Sequence, residues 1–288
     1  MTSMLRWKIK KLARTGMATG SWLSGRAPAI NANRQRQKVR VLTYHRFGKI
    51  TRDPFCIEPD DFEKQMRYLA EQGLIVSLAD LQGFIAGKTV LPPGAVVVTV
   101  DDGFRSLYTT ALPILKNYGI PATAFVSPGL IHATKGAPPM RHPASEEEYL
   151  SWDELAKLSE DDITIASHGW SHQSLGRMSI DEAEDEAARS REALESHLGT
   201  TVSAFAYPFG TVADFNVATA SILAETGYRC AFTSQHGAIS PGMDSYCLPR
   251  VKVESGERLW QFQLLLRGGL DGWSLIDRTL WRLQAAGR

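Results

Sequence analysis

Short apolar runs alternate with amphipathic stretches along the chain from residue 39 onward. The apolar runs are continuous and rich in Val, Ile and Ala, as in "GAVVVTV" at 94–100. Such runs are typical of strands that are buried on both faces of a parallel sheet. Eight runs are predicted as strands, at 39–45, 74–78, 94–100, 121–127, 163–168, 203–210, 229–234 and 246–253.

The stretches between the apolar runs have helical periodicity. Within 58–73, Phe62, Met66 and Leu69 form one apolar stripe, and Gly73 supplies a stop signal. Further helices are predicted over 79–87, 104–118, 151–160, 179–198 and 213–226. Because seven or eight strands with helical connections follow in one series, the pattern favours a closed parallel barrel of the α/β class over an open sheet.

The predicted organisation has three parts. Residues 1–38 form a basic N-terminal extension, 39–256 form the barrel domain, and 257–288 form C-terminal helices that pack on the barrel. A segment rich in Pro and Gly, at 132–148, interrupts the alternation and is predicted as an insertion.

The charge distribution along the chain is uneven. The 288 residues carry a net charge of +1, and residues 1–40 alone hold ten basic residues and no acidic one. The remainder holds 22 basic and 31 acidic residues, so the body of the protein is acidic. An acidic body offers no basic stripe, and nucleic-acid binding is therefore not predicted.

The cysteines and the hydropathy of the chain indicate the cellular compartment. Cys56, Cys230 and Cys247 lack the C-x-x-C spacing of a zinc knuckle, and three cysteines do not make a disulfide framework. No apolar run approaches the roughly 20 residues of a membrane span. These features predict a cytoplasmic protein in a reducing compartment.

The start of the chain has an amphipathic pattern of its own. Leu5, Ile9 and Leu12 fall on one side of a predicted helix, and lysines and arginines surround them. This pattern is typical of a helix that lies on an anionic membrane, and it predicts peripheral contact with the inner membrane surface. A helix that packs on its own domain, or a disordered tail, would show the same pattern.

Reactive side chains cluster at the predicted strand ends, where parallel α/β folds carry their functional residues. Asp101 and Asp102 follow the run "VVVTV", although Asp-Asp-Gly is also an ordinary turn sequence. The other strands contribute Tyr44, His45, His168, His172, Tyr207 and Arg250.

His168 and His172 lie four residues apart in "SHGWSH". That spacing can aim both imidazoles at one point, although either histidine could instead cap a helix or lie on the surface. With Asp102 they would form a His₂Asp set that holds a divalent metal and leaves one position open for water. Asp101 would then be free to accept a proton from that water, which is the chemistry of hydrolysis.

The segments "TVDDG", "SHGWSH" and "YPFG", in this order, resemble the polysaccharide deacetylase family, also called the NodB-homology domain or carbohydrate esterase family four. The resemblance covers about residues 40–255. It implies a distorted (β/α)7 barrel. It also implies metal-dependent removal of N-acetyl groups from 2-acetamido sugars of a polysaccharide, oligosaccharide or lipid-linked glycan.

The resemblance also implies a role for each motif residue. Asp101 corresponds to the general base, and Asp102, His168 and His172 correspond to the ligands of a divalent metal, with Zn²⁺ as the expected ion. The backbone N–H of Tyr207 corresponds to a donor that stabilises the oxyanion of the tetrahedral intermediate.

This chain departs from the family at the third motif. Many members have an arginine there that pairs with the base, whereas this chain has Phe205. Arg250 is the candidate to supply that charge, with an ordinary surface ion pair as the alternative. The general acid has no clean match, and His236 and His45 are the two candidates.

Two other functions are compatible with the same residues. The site could act as an O-acetyl esterase or a sugar deformylase, since both reactions need the same water and oxyanion stabilisation. The chain could also be a non-catalytic glycan-binding protein that keeps the barrel, because the third-motif arginine is missing and the acid is unclear.

Overall fold

A closed barrel of seven parallel strands forms the centre of the protein. The computed structural model describes residues 3–24, 38–49, 53–131 and 148–279, so most of the predicted insertion lies outside the described residues.

The strands are β1 (Arg40–Tyr44), β2 (Arg46–Phe47), β3 (Cys56–Ile57), β4 (Val96–Val100), β5 (Ala122–Val126), β6 (Ile163–Ser167), β7 (Ala204–Ala206), β8 (Cys230–His236) and β9 (Leu248–Lys252). The barrel order is β1-β4-β5-β6-β7-β8-β9, and β9 pairs with β1 to close it. The predicted distorted (β/α)7 barrel is confirmed.

Helices connect the strands and cover the outside of the barrel. The α-helices are Ser3–Leu23, Pro59–Glu71, Leu78–Ile85, Leu112–Asn117, Trp152–Glu160, Ile180–Leu198, Val217–Glu225, Leu259–Leu266 and Trp273–Thr279. Strands β2 and β3 form a separate two-stranded sheet. None of the helices in the described ranges is long and apolar enough to cross a bilayer.

Alternate residues of the strands point to two different cores. Val41, Val97, Phe125 and Phe232 belong to one buried cluster, which fills the barrel. Their neighbours in sequence belong to a second cluster that packs the barrel against its helices, for example Leu42, Val98, Ala124 and Ala231. Both faces of the strands are therefore buried, which explains why the strands appear in the sequence as unbroken apolar runs.

The barrel is regular on one side and distorted on the other. Strands β1 and β4 pair over five consecutive residues, from Arg40 with Val96 to Tyr44 with Val100. Strands β6 and β7 share a single paired position. Between β8 and β9 the register shifts after Phe232, and such a shift changes which side of the sheet the following side chains face.

Two predicted elements differ from the structure. The run 74–78 is not a barrel strand, because Ile75 makes one isolated bridge to Val96 and Ser77 already caps the next helix. The predicted helix over 104–118 begins with a π-helical turn, Leu107–Ala111, before the α-helix starts at Leu112.

Candidate active site

Three predicted ligand residues converge at the carboxyl end of the barrel. Asp102 follows β4, and His168 follows β6 directly. The Nε2 atoms of His168 and His172 lie 3.4 Å and 3.2 Å from Oδ1 of Asp102. One ligand atom from each of the three residues lies within 4.8 Å of the others, and no second such group occurs in the part of the chain that the structure describes.

The chemistry of this donor set fits a divalent cation. Nδ1 of His168 lies 2.7 Å from the carbonyl oxygen of Ala206, which can only accept a hydrogen bond. In the neutral ring Nδ1 therefore carries the proton, and Nε2 presents its lone pair to the cluster. Two imidazole nitrogens and one carboxylate oxygen are the ligands of a catalytic zinc site with an open position.

Two of the three candidate ligand residues have a left-handed backbone conformation. Asp102 and His172 have φ angles of 73° and 58°, and Phe209 of the third motif has 61°. These are three of the four non-glycine residues with positive φ in the described ranges. Such a conformation is unfavourable for residues with a side chain and persists where the surroundings enforce it. Backbone strain is thus concentrated at this site.

Gly103 follows Asp102 and has a φ of 73°. A Cβ atom at this position would lie 3.2 Å from Cγ1 of Val126, closer than ordinary van der Waals contact. The sharp turn after β4 therefore requires glycine, and this turn directs the two aspartates into one site.

Glu186 anchors the loop between the two histidines. Its Oε2 accepts hydrogen bonds from the backbone N–H groups of Trp170 and Ser171, both at 2.9 Å, and its Oε1 accepts one from the Ser171 hydroxyl. Glu186 is buried and lies on the helix Ile180–Leu198. It therefore holds the loop that presents His172.

Sequence reasoning missed Glu186, because the predicted helix 179–198 carries many charged residues and none of them stands out by spacing. A signal was present nevertheless. Ala183, Ala187 and Ser190 form the buried face of this helix, and Glu186 falls on the same face. An acidic residue on a buried helical face requires hydrogen-bond donors nearby.

Asp101 is held by a buried ion pair inside the barrel. Arg250 donates from both terminal nitrogens to the two carboxylate oxygens of Asp101, at 2.8 Å and 2.6 Å. Its Nε donates to the Thr233 carbonyl oxygen at 3.0 Å. Arg250 lies on β9, so the structure brings it to Asp101 as the sequence predicted, and it is not a surface ion pair.

The surroundings keep Asp101 ionised. Burial alone would raise the pKa of this carboxyl, but the charge and the two hydrogen bonds of Arg250 outweigh burial and leave the pKa below its ordinary value. Burial likewise opposes ionisation of Asp102, and its close contacts with His168 and His172 leave its pKa well below the usual range. Asp101 can therefore accept a proton at neutral pH.

Phe205, which the resemblance predicted at the place of a family arginine, faces away from the ion pair. It belongs to the cluster between the barrel and its helices, with ring centres 5.6 Å from Tyr207 and 5.2 Å from Tyr228. A charged side chain with this orientation would be buried among aromatic rings. The charge on Asp101 is instead neutralised from β9.

The structure does not support the predicted role of Tyr207. Its backbone N–H donates to the Phe232 carbonyl oxygen at 3.0 Å, as a rung between the ends of β7 and β8. Its hydroxyl donates to the carbonyl oxygen of Tyr246 at 3.1 Å. The N–H that the resemblance assigned to the oxyanion is thus engaged in the barrel.

His236, predicted as a candidate general acid, is directed away from the cluster of Asp102, His168 and His172. The register shift in β8 turns His236 toward the C-terminal helices. Its backbone N–H donates to Asp277 at 2.8 Å, and its Nε2 lies 3.7 Å from Oδ1 of Asp271. Burial lowers the pKa of this imidazole, and Asp271 opposes that effect. Asp271 lies outside the barrel.

His45, the other predicted acid, shares the electrostatic environment of the site. Burial lowers the pKa of this imidazole, and the charges of Asp102 and Asp101 oppose that effect. Its ring lies against Phe55, with centres 4.7 Å apart. Its Nδ1 is buried without a hydrogen-bond partner among the described residues. His45 is thus the candidate that can hold and release a proton here.

The barrel brings together a His₂Asp donor set that could hold a divalent ion and a buried, ionised carboxylate, and this combination is found at the active sites of hydrolases. The family model described as polysaccharide deacetylase matches residues 88–231, which is half of the chain. The chain belongs to the polysaccharide deacetylase family, whose characterised relatives are hydrolases acting on carbon–nitrogen bonds other than peptide bonds.

Individual relatives support this assignment over most of the chain. A poly-beta-1,6-N-acetyl-D-glucosamine N-deacetylase of Staphylococcus epidermidis is 24% identical over 78% of this chain and 84% of its own length. Two solved structures share the fold. The deacetylase PplD of Streptococcus pyogenes has a TM-score of 0.70 with 22% identity, covering 80% of this chain and 98% of its own. IcaB from Ammonifex degensii has a TM-score of 0.67 with 26% identity, covering 81% and 98%.

Proposed function

We propose that the protein removes N-acetyl groups from the 2-acetamido sugars of a glycan, leaving a free amine and releasing acetate. The observation that carries this proposal is the ionised Asp101, fixed by Arg250 next to Asp102, His168 and His172. A relative that is named for deacetylation of poly-beta-1,6-N-acetyl-D-glucosamine supports the choice of an N-acetylated glycan.

Asp102, His168 and His172 would hold a divalent cation, with zinc as the expected ion. When bound, such a cation polarises the amide carbonyl and makes water acidic enough to lose a proton near neutral pH. The hydrogen bond from His168 to the Ala206 carbonyl oxygen keeps that ring in one orientation. The Glu186 contacts hold the His172 loop in place.

Asp101 would accept a proton from the attacking water, and Arg250 keeps its carboxylate ionised and correctly oriented. The water oxygen bonds to the acetyl carbonyl carbon, the carbon–nitrogen bond breaks, and acetate leaves. The sugar nitrogen must then gain a proton. We assign that delivery to His45, because Tyr44 pairs with Val100, so that His45 and Asp101 follow neighbouring strand ends, and the charges of Asp102 and Asp101 favour a proton on its ring.

The test is acetate release from defined β-1,6-linked N-acetylglucosamine oligosaccharides, with the product mass measured. We expect the loss of one or more acetyl groups, abolished by a chelator and restored by zinc. His172→Ala should lose about 10²–10³-fold in kcat/KM or more, as expected when a ligand of the catalytic ion is removed. His197→Ala is the matched control, because His197 is exposed and stacks on Trp152 away from the cluster.

Each alternative function has its own outcome in this experiment. Faster turnover of O-acetylated or N-formylated sugars than of N-acetylated ones would replace the proposal with an esterase or a deformylase. Glycan binding without release of any acyl group, with zinc bound, would indicate a non-catalytic protein. Full activity after complete metal removal would contradict the role of the His₂Asp set.

A further inference from the structure

The N-terminal helix, Ser3–Leu23, is fixed to the barrel by one face. Nε of Arg14, a buried side chain, donates to Glu257 at 2.8 Å, and a terminal nitrogen donates to the Lys252 carbonyl oxygen at 3.1 Å. Nζ of Lys10 lies 2.6 Å from Glu254. Glu254 and Glu257 lie in the segment after β9, so Lys10 and Arg14 attach the helix near the carboxyl end of that strand.

Over residues 9–23, whose side chains the structure describes, the opposite face of this helix is exposed and carries no charge. Ile9, Leu12 and Leu23 are 48%, 72% and 71% exposed. We name this face the outer stripe, and its members are Ile9, Leu12, Ala13, Gly16, Gly20 and Leu23. Their spacing places all six on one side of the helix, and Trp22 is exposed next to them. A helix face turned to water normally carries charged residues, so an apolar face of this kind indicates a binding surface.

The charges of the surrounding sequence indicate what this surface binds. The described cations Lys10 and Arg14 are engaged with the barrel. The sequence places further basic residues before and after the outer stripe, and none of residues 1–40 is acidic. These further residues are Arg6, Lys8, Arg26, Arg34 and Arg36. An uncharged stripe with a tryptophan beside it and basic residues at both ends is complementary to an anionic lipid surface.

A second copy of the chain is a poorer occupant. In a two-fold contact the same surface meets itself, and the sequence has basic residues on both sides of the outer stripe, so a contact between two copies would bring cations together. Like charges in such a contact disfavour association.

We propose that the outer stripe is a membrane-docking surface that lies in the interface of an anionic phospholipid bilayer. Because Arg14 fixes the other face of the helix to the end of β9, docking also fixes the orientation of the barrel. The end of β9 that Lys10 and Arg14 contact is then held next to the docked helix. If the proposed deacetylase function is correct, this orientation favours a glycan that is attached to lipid.

The test is cosedimentation of the full chain with vesicles, without any glycan substrate. Vesicles of phosphatidylglycerol and phosphatidylcholine are compared with vesicles of phosphatidylcholine alone. We expect binding to the anionic vesicles that weakens as salt is added. Leu12→Glu and Leu23→Glu should each weaken binding by about tenfold or more, because each puts a charge in place of a leucine that enters the interface. Val217→Glu is the matched control, since Val217 is exposed on a helix outside the outer stripe.

Three outcomes would overturn the proposal. The wild-type protein could fail to bind anionic vesicles, or Val217→Glu could weaken binding as much as Leu12→Glu, which would indicate an effect of net charge alone. Light scattering could instead show a dimer that Leu12→Glu converts to a monomer, which would make a second copy the occupant. Melting temperature and acetate release from a soluble oligosaccharide should be unchanged in Leu12→Glu. A loss of vesicle binding in a folded, active variant therefore separates this proposal from the proposed function.

Discussion

Two arginine–aspartate pairs in this barrel have the same geometry and different surroundings. The inner pair joins Arg250 to Asp101, with two hydrogen bonds of 2.8 Å and 2.6 Å. The outer pair joins Arg40 to Asp271, with two hydrogen bonds of 2.8 Å and 2.9 Å. The side chains of the inner pair are 2% and 3% exposed, whereas those of the outer pair are 10% and 38% exposed.

This difference in burial gives the two pairs different roles. Asp101 has no access to bulk water, so its charge depends on Arg250 and on the histidines near it. Asp271 keeps part of its hydration, and its pairing with Arg40 fastens the segment before the last helix to β1. The inner pair therefore keeps a carboxylate ionised for chemistry, whereas the outer pair, of the same residue types, holds two structural elements together.

The largest expected difference between the pairs is in activity. Asp101→Asn keeps the shape of the side chain and removes its ability to take up a proton. We expect kcat/KM for acetate release to fall by about 10²–10⁴-fold, the usual contribution of a general base. Asp271→Asn makes the same change in the outer pair and should leave kcat/KM within about twofold, since Asp271 lies outside the site. Equal losses in the two variants would show that the inner pair has a structural role only.

The next largest difference is in stability. Arg250→Met leaves Asp101 buried without its partner, and we expect the free energy of unfolding to fall by about 3–5 kcal/mol. Arg40→Met leaves Asp271 partly hydrated and should cost about 1 kcal/mol. Urea unfolding at neutral pH measures both values.

A double variant of the inner pair separates charge from packing. Asp101→Asn combined with Arg250→Met removes both charges, so we expect it to recover much of the stability that Arg250→Met loses, while activity stays low. The loss of unfolding free energy in the double variant could instead equal the sum of the losses in the two single variants. The loss would then come from packing and not from the unpaired charge.

The site residues that sequence could predict are those placed by strand ends and short spacings. Asp101 and Asp102 follow an unbroken apolar run, and His168 and His172 share one short segment. In a parallel barrel all such ends meet at one rim, so their proximity follows from topology alone. The pairing of Arg250 with Asp101 was anticipated from the family resemblance, because the arginine expected in the third motif is missing and Arg250 follows in the last strand.

The errors come from features that the apolar pattern does not record. His236 lies in a strand with a register shift, and a shift of one residue turns a side chain to the other face. The N–H of Tyr207 is used in the barrel ladder, which depends on where β7 ends. Glu186 acts through hydrogen bonds to a loop 15 and 16 residues away, a contact set by tertiary packing.

A smaller effect is expected at the loop that Glu186 anchors. Glu186→Ala removes three hydrogen bonds from the loop between the metal ligands, so we expect zinc affinity to fall by about 10–100-fold. Competition with a chromogenic chelator measures this affinity without any turnover. Glu186→Gln keeps one acceptor oxygen and should therefore recover part of the lost zinc affinity. Glu192→Ala, at an exposed position of the same helix, is the control, and an equal loss there would contradict the anchoring role.

The smallest expected effect is the response of the outer pair to acid. Burial would raise the pKa of Asp271, but the His236 ring 3.7 Å away and the charge and hydrogen bonds of Arg40 leave it below its ordinary value. A carboxyl whose pKa is lower in the folded state stabilises the fold above its unfolded pKa, and this contribution is lost as the pH falls toward the folded pKa. The wild-type protein should therefore be more stable than Asp271→Asn at pH 7, by less than about 1 kcal/mol because Asp271 is partly hydrated. That difference should shrink below about pH 5. Urea unfolding of both proteins at several pH values measures it, and a difference that does not change with pH would show that Arg40 and His236 do not lower this pKa.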